Sequence, residues 1–328
     1  MRYITLIGRL VKMRQKKIII NIAIIALAFM LFVIWHHSCL EPSTKTNASN
    51  VKYYKVYLIT VDKGFQYWGM LNQGASDMAK LVGIQYIWDA PEVRSTKEQI
   101  EIINRAVENG ADALLIAADD PRNISGAVED AKARNVKVIY VDSPAYEEAV
   151  TTLTTDNYAA GVKAGQTMIS LLNNEGIKSG AIGVINLADK ANTKLREDGF
   201  RKVIEEDGRF IVPPATYTAT DKPEETQVAA EKLINDTKDL VALFGASEGT
   251  SIGVGNANKL YDNKYITVGF DKTPIIQKLY REGSLKAIIA QNPYTMGYLG
   301  MAEAVAAILG KDTGPDYINT GVSVIGGE

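Results

Sequence analysis

The chain has 328 residues, 36 Lys and Arg against 38 Asp and Glu, two histidines and one cysteine. The charge is unevenly spread: residues 1–17 hold Arg2, Arg9, Lys12, Arg14, Lys16 and Lys17 and no acid, so residues 18–328 carry 30 bases against 38 acids, or −8. An acidic bulk disfavours a nucleic-acid partner, and a single Cys39 excludes an internal disulfide and a cysteine-built metal site.

After the basic leader, Ile18 to Trp35 contain one polar residue, Asn21. Eighteen helical residues at 1.5 Å rise reach about 27 Å, close to the hydrocarbon thickness, so 18–35 are predicted to form a transmembrane anchor. The basic flank should stay in the cytoplasm, which places the rest of the chain outside, at the cell membrane. The run exceeds a usual secretory h-region and lacks an A-x-A site, which points to a retained anchor. A lipid-modified Cys39 is the alternative, although His36 stands where lipoproteins carry an aliphatic residue. Residues 36–52, including EPSTKTNASN at 41–50, form a polar tether.

From Tyr53 onward, short apolar runs alternate with helical periodicity. Strands are predicted at Lys55–Val61, Ile84–Trp88, Ala113–Ala117 and Lys137–Val141, all reading as buried on both faces. Between them, helices are predicted over 66–81, 96–109 and 123–134, with Gly83 and Gly110 at helix stops. A second series follows: strands at 181–187, 240–246, 265–270 and 286–291, helices at 193–206, 223–237, 248–260 and 274–282. Two strand-helix series imply an α/β protein of two doubly wound parallel-sheet lobes, with ligands gathering at strand C-terminal ends.

The block Val268-Gly269-Phe270-Asp271-Lys272-Thr273-Pro274, then Ala287-Ile288-Ile289-Ala290-Gln291, preceded by Thr155-Asp156-Asn157 and Ala164-Gly165, resembles the ribose- and xylose-binding proteins of bacterial sugar uptake. That resemblance implies the type I periplasmic binding protein fold, whose hinge the chain crosses three times. It implies one lobe from 53–156 plus 291–318 and another from 157–290 plus 319–328, with a sugar between them.

The same resemblance implies the ligand contacts. Tyr67 and Trp68 match paired aromatics that sandwich a pentose ring. Asp142 and Asp271 match carboxylates that each accept two hydroxyls, and Gln291 matches a hinge-side amide. Asn192 and Lys194 follow the xylose-binding pattern, whereas Ser143 stands where ribose binders carry Arg. Ser247 and Glu248 replace the usual Asn-Asp pair. Lys63, Asp156, Asn157 and Arg196 are secondary candidates, and Asp119 and Asp120 would line the cleft mouth or cap a helix.

An enzyme is not expected, because His36 and His37 lie at the membrane boundary and no other base of that type exists. Neither a cofactor nor a metal is expected. Gly253 and Gly255 lack the third glycine of a dinucleotide fingerprint, and Gly310-Lys311 lack a P-loop's upstream glycine. A sugar-responsive repressor would need a DNA-binding domain where the apolar run stands. The expected ligand is a pentose such as D-xylose, with ribose, galactose or a furanosyl signalling molecule as alternatives. The expected protein partner is a membrane sensor histidine kinase or an ABC permease.

Overall fold

The computed structural model describes residues 53–327. The predicted anchor at 18–35 and the whole tether at 36–52 lie outside them; among the described residues, no helix is long and apolar enough to cross a membrane.

The four leading apolar runs form β1 (Lys55–Ile59), β2 (Gln85–Asp89), β3 (Ala113–Ile116) and β4 (Lys137–Val141). With β5 (Thr151–Thr154) and β12 (Tyr317–Asn319) they build a six-stranded sheet in the order β12-β5-β4-β3-β1-β2. Every pair in it is parallel. Side chains alternate across a strand, and here both faces are apolar. Val56, Leu58, Leu115, Ile139 and Val141 enter one core, while Tyr57, Ile59, Leu114, Ile116, Val138 and Tyr140 enter the other. This two-sided burial is why the runs read as unbroken rather than alternating.

The second sheet holds β6 (Gly180–Leu187), β7 (Phe210–Ile211), β9 (Leu240–Gly245), β10 (Ile266–Phe270), β11 (Ala287–Gln291) and β13 (Val322–Gly326), in the order β13-β11-β10-β9-β6-β7. A short β8 (Thr216–Thr218) also pairs with β6. The expectation of wholly parallel sheets needs one correction: β13 runs antiparallel to β11. The chain reaches that edge from β12 of the other sheet through Thr320 and Gly321 alone, with Gly321 at φ 68°. A two-residue link leaves no room for a parallel crossover.

Between β5 and helix Asn157–Asn174, the chain passes from the first sheet's side to the second's. It returns between β11 and helix Pro293–Ile308, whose Met296, Met301 and Ala304 join the first lobe's core. The β12–β13 link makes the third passage.

Helix Pro293–Ile308 touches helix Gln66–Val82 backbone to backbone. A methyl at Gly297 would stand 2.0 Å from the Leu71 carbonyl oxygen, and one at Gly74 would stand 2.0 Å from that of Tyr294. Each glycine thus admits the other helix. Gly297→Val should destabilise by about 1–3 kcal/mol or more through overpacking. For a domain of this size that is a drop of several degrees, roughly 2–4 °C per kcal/mol, in a circular dichroism melt. An unchanged melting temperature would show that the helices tolerate separation.

Candidate functional site

The C-terminal ends of the two sheets face each other across a cavity of about 370 Å³. At its centre stand two carboxylates in matching poses. Asp142 follows β4 and Asp271 follows β10, and both adopt left-handed backbone, at φ 67° and 73°. The amide of each donates to the neighbouring strand, Asp142 to Leu153 O at 2.8 Å and Asp271 to Ile289 O at 2.9 Å. Left-handed backbone is uncommon outside glycine, and Asp and Asn accept it best. The turn therefore selects for the residue type and aims its carboxylate into the cavity.

Asp142 Oδ1 accepts from the Tyr67 hydroxyl at 2.7 Å, and Asn192 Nδ2, from the other lobe, lies 3.5 Å from Oδ2. Asp271 Oδ1 accepts from Gln291 Nε2 at 2.7 Å. Gln291 Oε1 is buried and has no partner among the described residues, so it presents a free acceptor beside the paired one. Burial raises the Asp142 carboxyl above its ordinary value, against the Tyr67 hydrogen bond and the Arg196 charge. Burial likewise pushes Asp271 up to about 6, although Arg196 and Gln291 oppose it.

Arg196 is immobilised. Its Nε donates to Asn157 Oδ1 at 2.8 Å and its Nη1 to Ala246 O at 2.9 Å, and the guanidinium lies 4.0 Å from the Phe270 ring centroid. A fixed cation on an aromatic face holds its orientation, as a flexible lysine would not.

Tyr67 and Trp68 line the cavity. Their rings meet edge to face, with centroids 5.0 Å apart and planes at 85°. They are therefore not two walls of a slot, and the expected sandwich between them is corrected. Neighbours on one helix point about 100° apart and cannot face each other across a sugar. Both also belong to the lobe core, so packing and lining are the same contact.

Lys194 requires a larger correction. It pairs with Asp198 one turn along its helix, its side chain is 51% exposed, and it does not line the cavity. Lys190 and Arg196, four residues before and two after, do line it. Lys63 pairs with Asp89 and Glu92 away from the cavity. Asp156 caps helix Asn157–Asn174 through the Ala159 amide, and Asn157 serves Arg196. Ser143 lines the cavity while donating to Ala118 O at 3.0 Å. Asp120 caps helix Pro121–Ala133.

At the mouth, Asp119 joins the lobes: Arg94 Nε lies 2.7 Å from its Oδ1, Lys190 Nζ lies 3.0 Å from the same oxygen, and Thr96 donates to Oδ2 at 2.6 Å. Burial disfavours this charge, yet Arg94, Thr96 and Lys190 together outweigh it and hold the carboxyl below its usual range. Deeper in, Asp221 accepts from the Thr250 amide at 3.2 Å, at the start of helix Glu248–Leu260, and from the Ser247 hydroxyl. Gly249 is obligatory here, because a methyl would stand 1.7 Å from the Asp221 carbonyl oxygen. Burial lifts Asp221 to about 6 and Glu248 to about 8, the latter also repelled by Asp271.

Sequence reasoning missed Arg94, Lys190 and Asp221. All three lie in loops or at a helix start, where neither periodicity nor strand ends mark a position. Lys190 is the extended N-cap of helix Ala191–Asp207, so its aim into the cleft does not follow the helix periodicity that governs Lys194.

The fold and this cleft define a two-lobed ligand-binding protein. The chain belongs to the periplasmic binding protein family, since residues 56–312 match the periplasmic binding protein domain. It is 27% identical over 242 residues to the ribose import binding protein RbsB of Haemophilus influenzae, covering 74% of this chain and 81% of that one. It is 24% identical over 273 residues to the xylose/arabinose-binding protein XylF of Sulfolobus acidocaldarius, covering 75% and 66%. Among solved structures, the periplasmic component of an ABC-type sugar transport system from Hahella chejuensis superposes with a TM-score of 0.77 at 27% identity, covering 83% of this chain and 99% of that one.

Proposed function

We propose that the chain binds a monosaccharide, an aldopentose with D-xylose ahead of D-ribose, between its lobes on the outer side of a membrane. The observation that carries this reading is the pair Asp142 and Asp271, one from each lobe, held in the same left-handed pose. Carboxylates accept several hydroxyls at once, Gln291 Oε1 adds an acceptor, Arg196 adds a fixed donor, and Trp68 offers apolar surface to a sugar's C–H groups. The names of the relatives, ribose import and xylose/arabinose binding, supply the ligand class. Within it, Asn192 in the cavity wall and Ser143 in place of arginine support xylose over ribose.

In this reading 53–156 plus 291–318 form one lobe and 157–290 plus 319–328 the other, and the N-terminal apolar run holds them at the membrane. Each lobe supplies part of the hydrogen-bond set, so sugar and closure are thermodynamically coupled. Closure serves delivery to an ABC permease or signalling to a membrane histidine kinase, and a retained anchor favours the stationary, signalling use. Cross-linking of the chain in its own membrane with and without pentose separates the two partners.

Titration calorimetry of the purified full chain against xylose, ribose, arabinose, allose, glucose and galactose tests the ligand. Heat with a pentose at micromolar sugar is the expected result. Silence with every pentose refutes the reading.

A further inference from the structure

Helix Gln66–Val82 starts without a cap of its own. Its N-cap residue is Phe65, whose side chain accepts no hydrogen bond, and its first turn holds no acid. The two helices that follow in the same lobe are different, because Ser95 accepts from the Glu98 amide and Asp120 from those of Arg122 and Asn123. The first amides of any helix lack a carbonyl within it and need an outside acceptor.

For this helix the acceptor comes from the opposite lobe. Glu248 Oε2 accepts from the Tyr67 amide at 3.1 Å, and the Gln66 amide beside it also favours the charged form of this carboxyl. Glu248 is only 4% exposed. It is the first residue of helix Glu248–Leu260, whose start is fixed by a reciprocal Ser247–Thr250 capping box. Its position is thus set by lobe two, while the groups it satisfies belong to lobe one. Tyr67, whose amide it holds, is the residue whose hydroxyl donates to Asp142.

We propose that Glu248 is the N-cap of helix Gln66–Val82 supplied in trans, so that closing the cleft completes that helix and fixes Tyr67 against Asp142. When the lobes part, the two amides return to water, so the bond acts on the closed state alone. Glu248 is accordingly a positioning residue that strengthens sugar binding through closure. The proposal rests on the sugar reading only in taking a pentose as the agent that closes the lobes.

Hydrogen exchange of the full chain, followed by mass spectrometry of peptides across residues 65–71, tests it in the parent, Glu248→Ala and Glu248→Gln, each with and without D-xylose. In Glu248→Ala the Gln66 and Tyr67 amides should exchange about 10-fold faster, with the helix beyond Met70 unchanged, and xylose should bind about 5–20-fold more weakly. Glu248→Gln retains an oxygen in the same place and should restore both to within about 3-fold of the parent. Equal exchange at the two amides in parent and Glu248→Ala, in both conditions, overturns the cap. So does faster exchange spread through the second sheet, which would mark a general fold defect. If xylose protects nothing in any variant, the sugar reading falls, and the same comparison in chain held closed by a carbodiimide cross-link between Asp119 and Lys190, 3.0 Å apart across the cleft, decides the cap.

Discussion

Asp271→Asn should weaken pentose binding about 10- to 150-fold, the equivalent of about 1.5–3 kcal/mol for a hydrogen bond to a charged group. Asparagine is the informative replacement because Asp271 sits at φ 73°. Alanine there would add a backbone penalty of roughly 1–2 kcal/mol, present with or without ligand. Asn keeps the size and the left-handed tolerance but loses the charge that sugar hydroxyls meet. Lys194→Ala is the paired control: with its side chain turned to Asp198 outside the cavity, affinity should stay within about twofold. Calorimetry on both variants checks the pair. An impaired Lys194→Ala beside an intact Asp271→Asn would reverse the assignment.

The second large effect is on stability against pH. Burial, then the neighbouring Asp271 charge, pushes Glu248 up to about 8 from an ordinary 4.5. Burial lifts Asp221 and Asp271 to about 6 from 3.8. Raised carboxyls hold protons in the folded chain that the unfolded chain has already released. Their contribution is complete below about pH 4 and is lost as pH climbs through 6 and then 8. Asp119 and Glu197 are lowered and act oppositely, losing their contribution in acid. With its lobes closed, the chain should therefore be most stable in mildly acidic solution and lose stability towards pH 9. The Glu248 share is on the order of 5 kcal/mol at most. Urea melts from pH 5 to 9 should show that slope in the parent and a much flatter one in Glu248→Gln, which cannot titrate. Parallel profiles would place the proton elsewhere.

The central strands were legible because a run such as KVIYV, buried on both sides, resembles nothing else in the sequence. β5, TTLT, was not, since three of its four residues are threonines and only Leu153 carries apolar bulk. Helices Asn157–Asn174 and Pro293–Ile308 were missed for another reason. Both are packed largely through Gly and Ala, with Gly161 against the Arg196 carbonyl and Gly297 against that of Leu71, so little apolar bulk marks the buried face. Within the site, strand ends announced Asp142, Asp271 and Gln291. What sequence could not supply was rotation about a helix: Lys194 and Arg196 are two residues apart, and only the helix phase relative to the cleft separates an exposed ion pair from a buried, stacked guanidinium.

The return of the chain to the first sheet sets when each lobe can be finished. β1 to β5 leave the ribosome first, but the part of one sheet face formed by β3 to β5 is covered by helix Pro293–Ile308, and their outer edge by β12. Residues Asn157 to Gln291 supply every strand of the second sheet but β13 in one uninterrupted stretch. The lobe begun first thus waits for its covering helix until the second sheet lacks only its edge strand. About 140 residues separate β5 from the helix that covers it, and at about 5–20 residues per second the exposed face waits roughly 7–28 s of elongation. That face, carrying Leu115, Val141 and Leu153, is where a nascent chain of this protein offers the most to a holding chaperone.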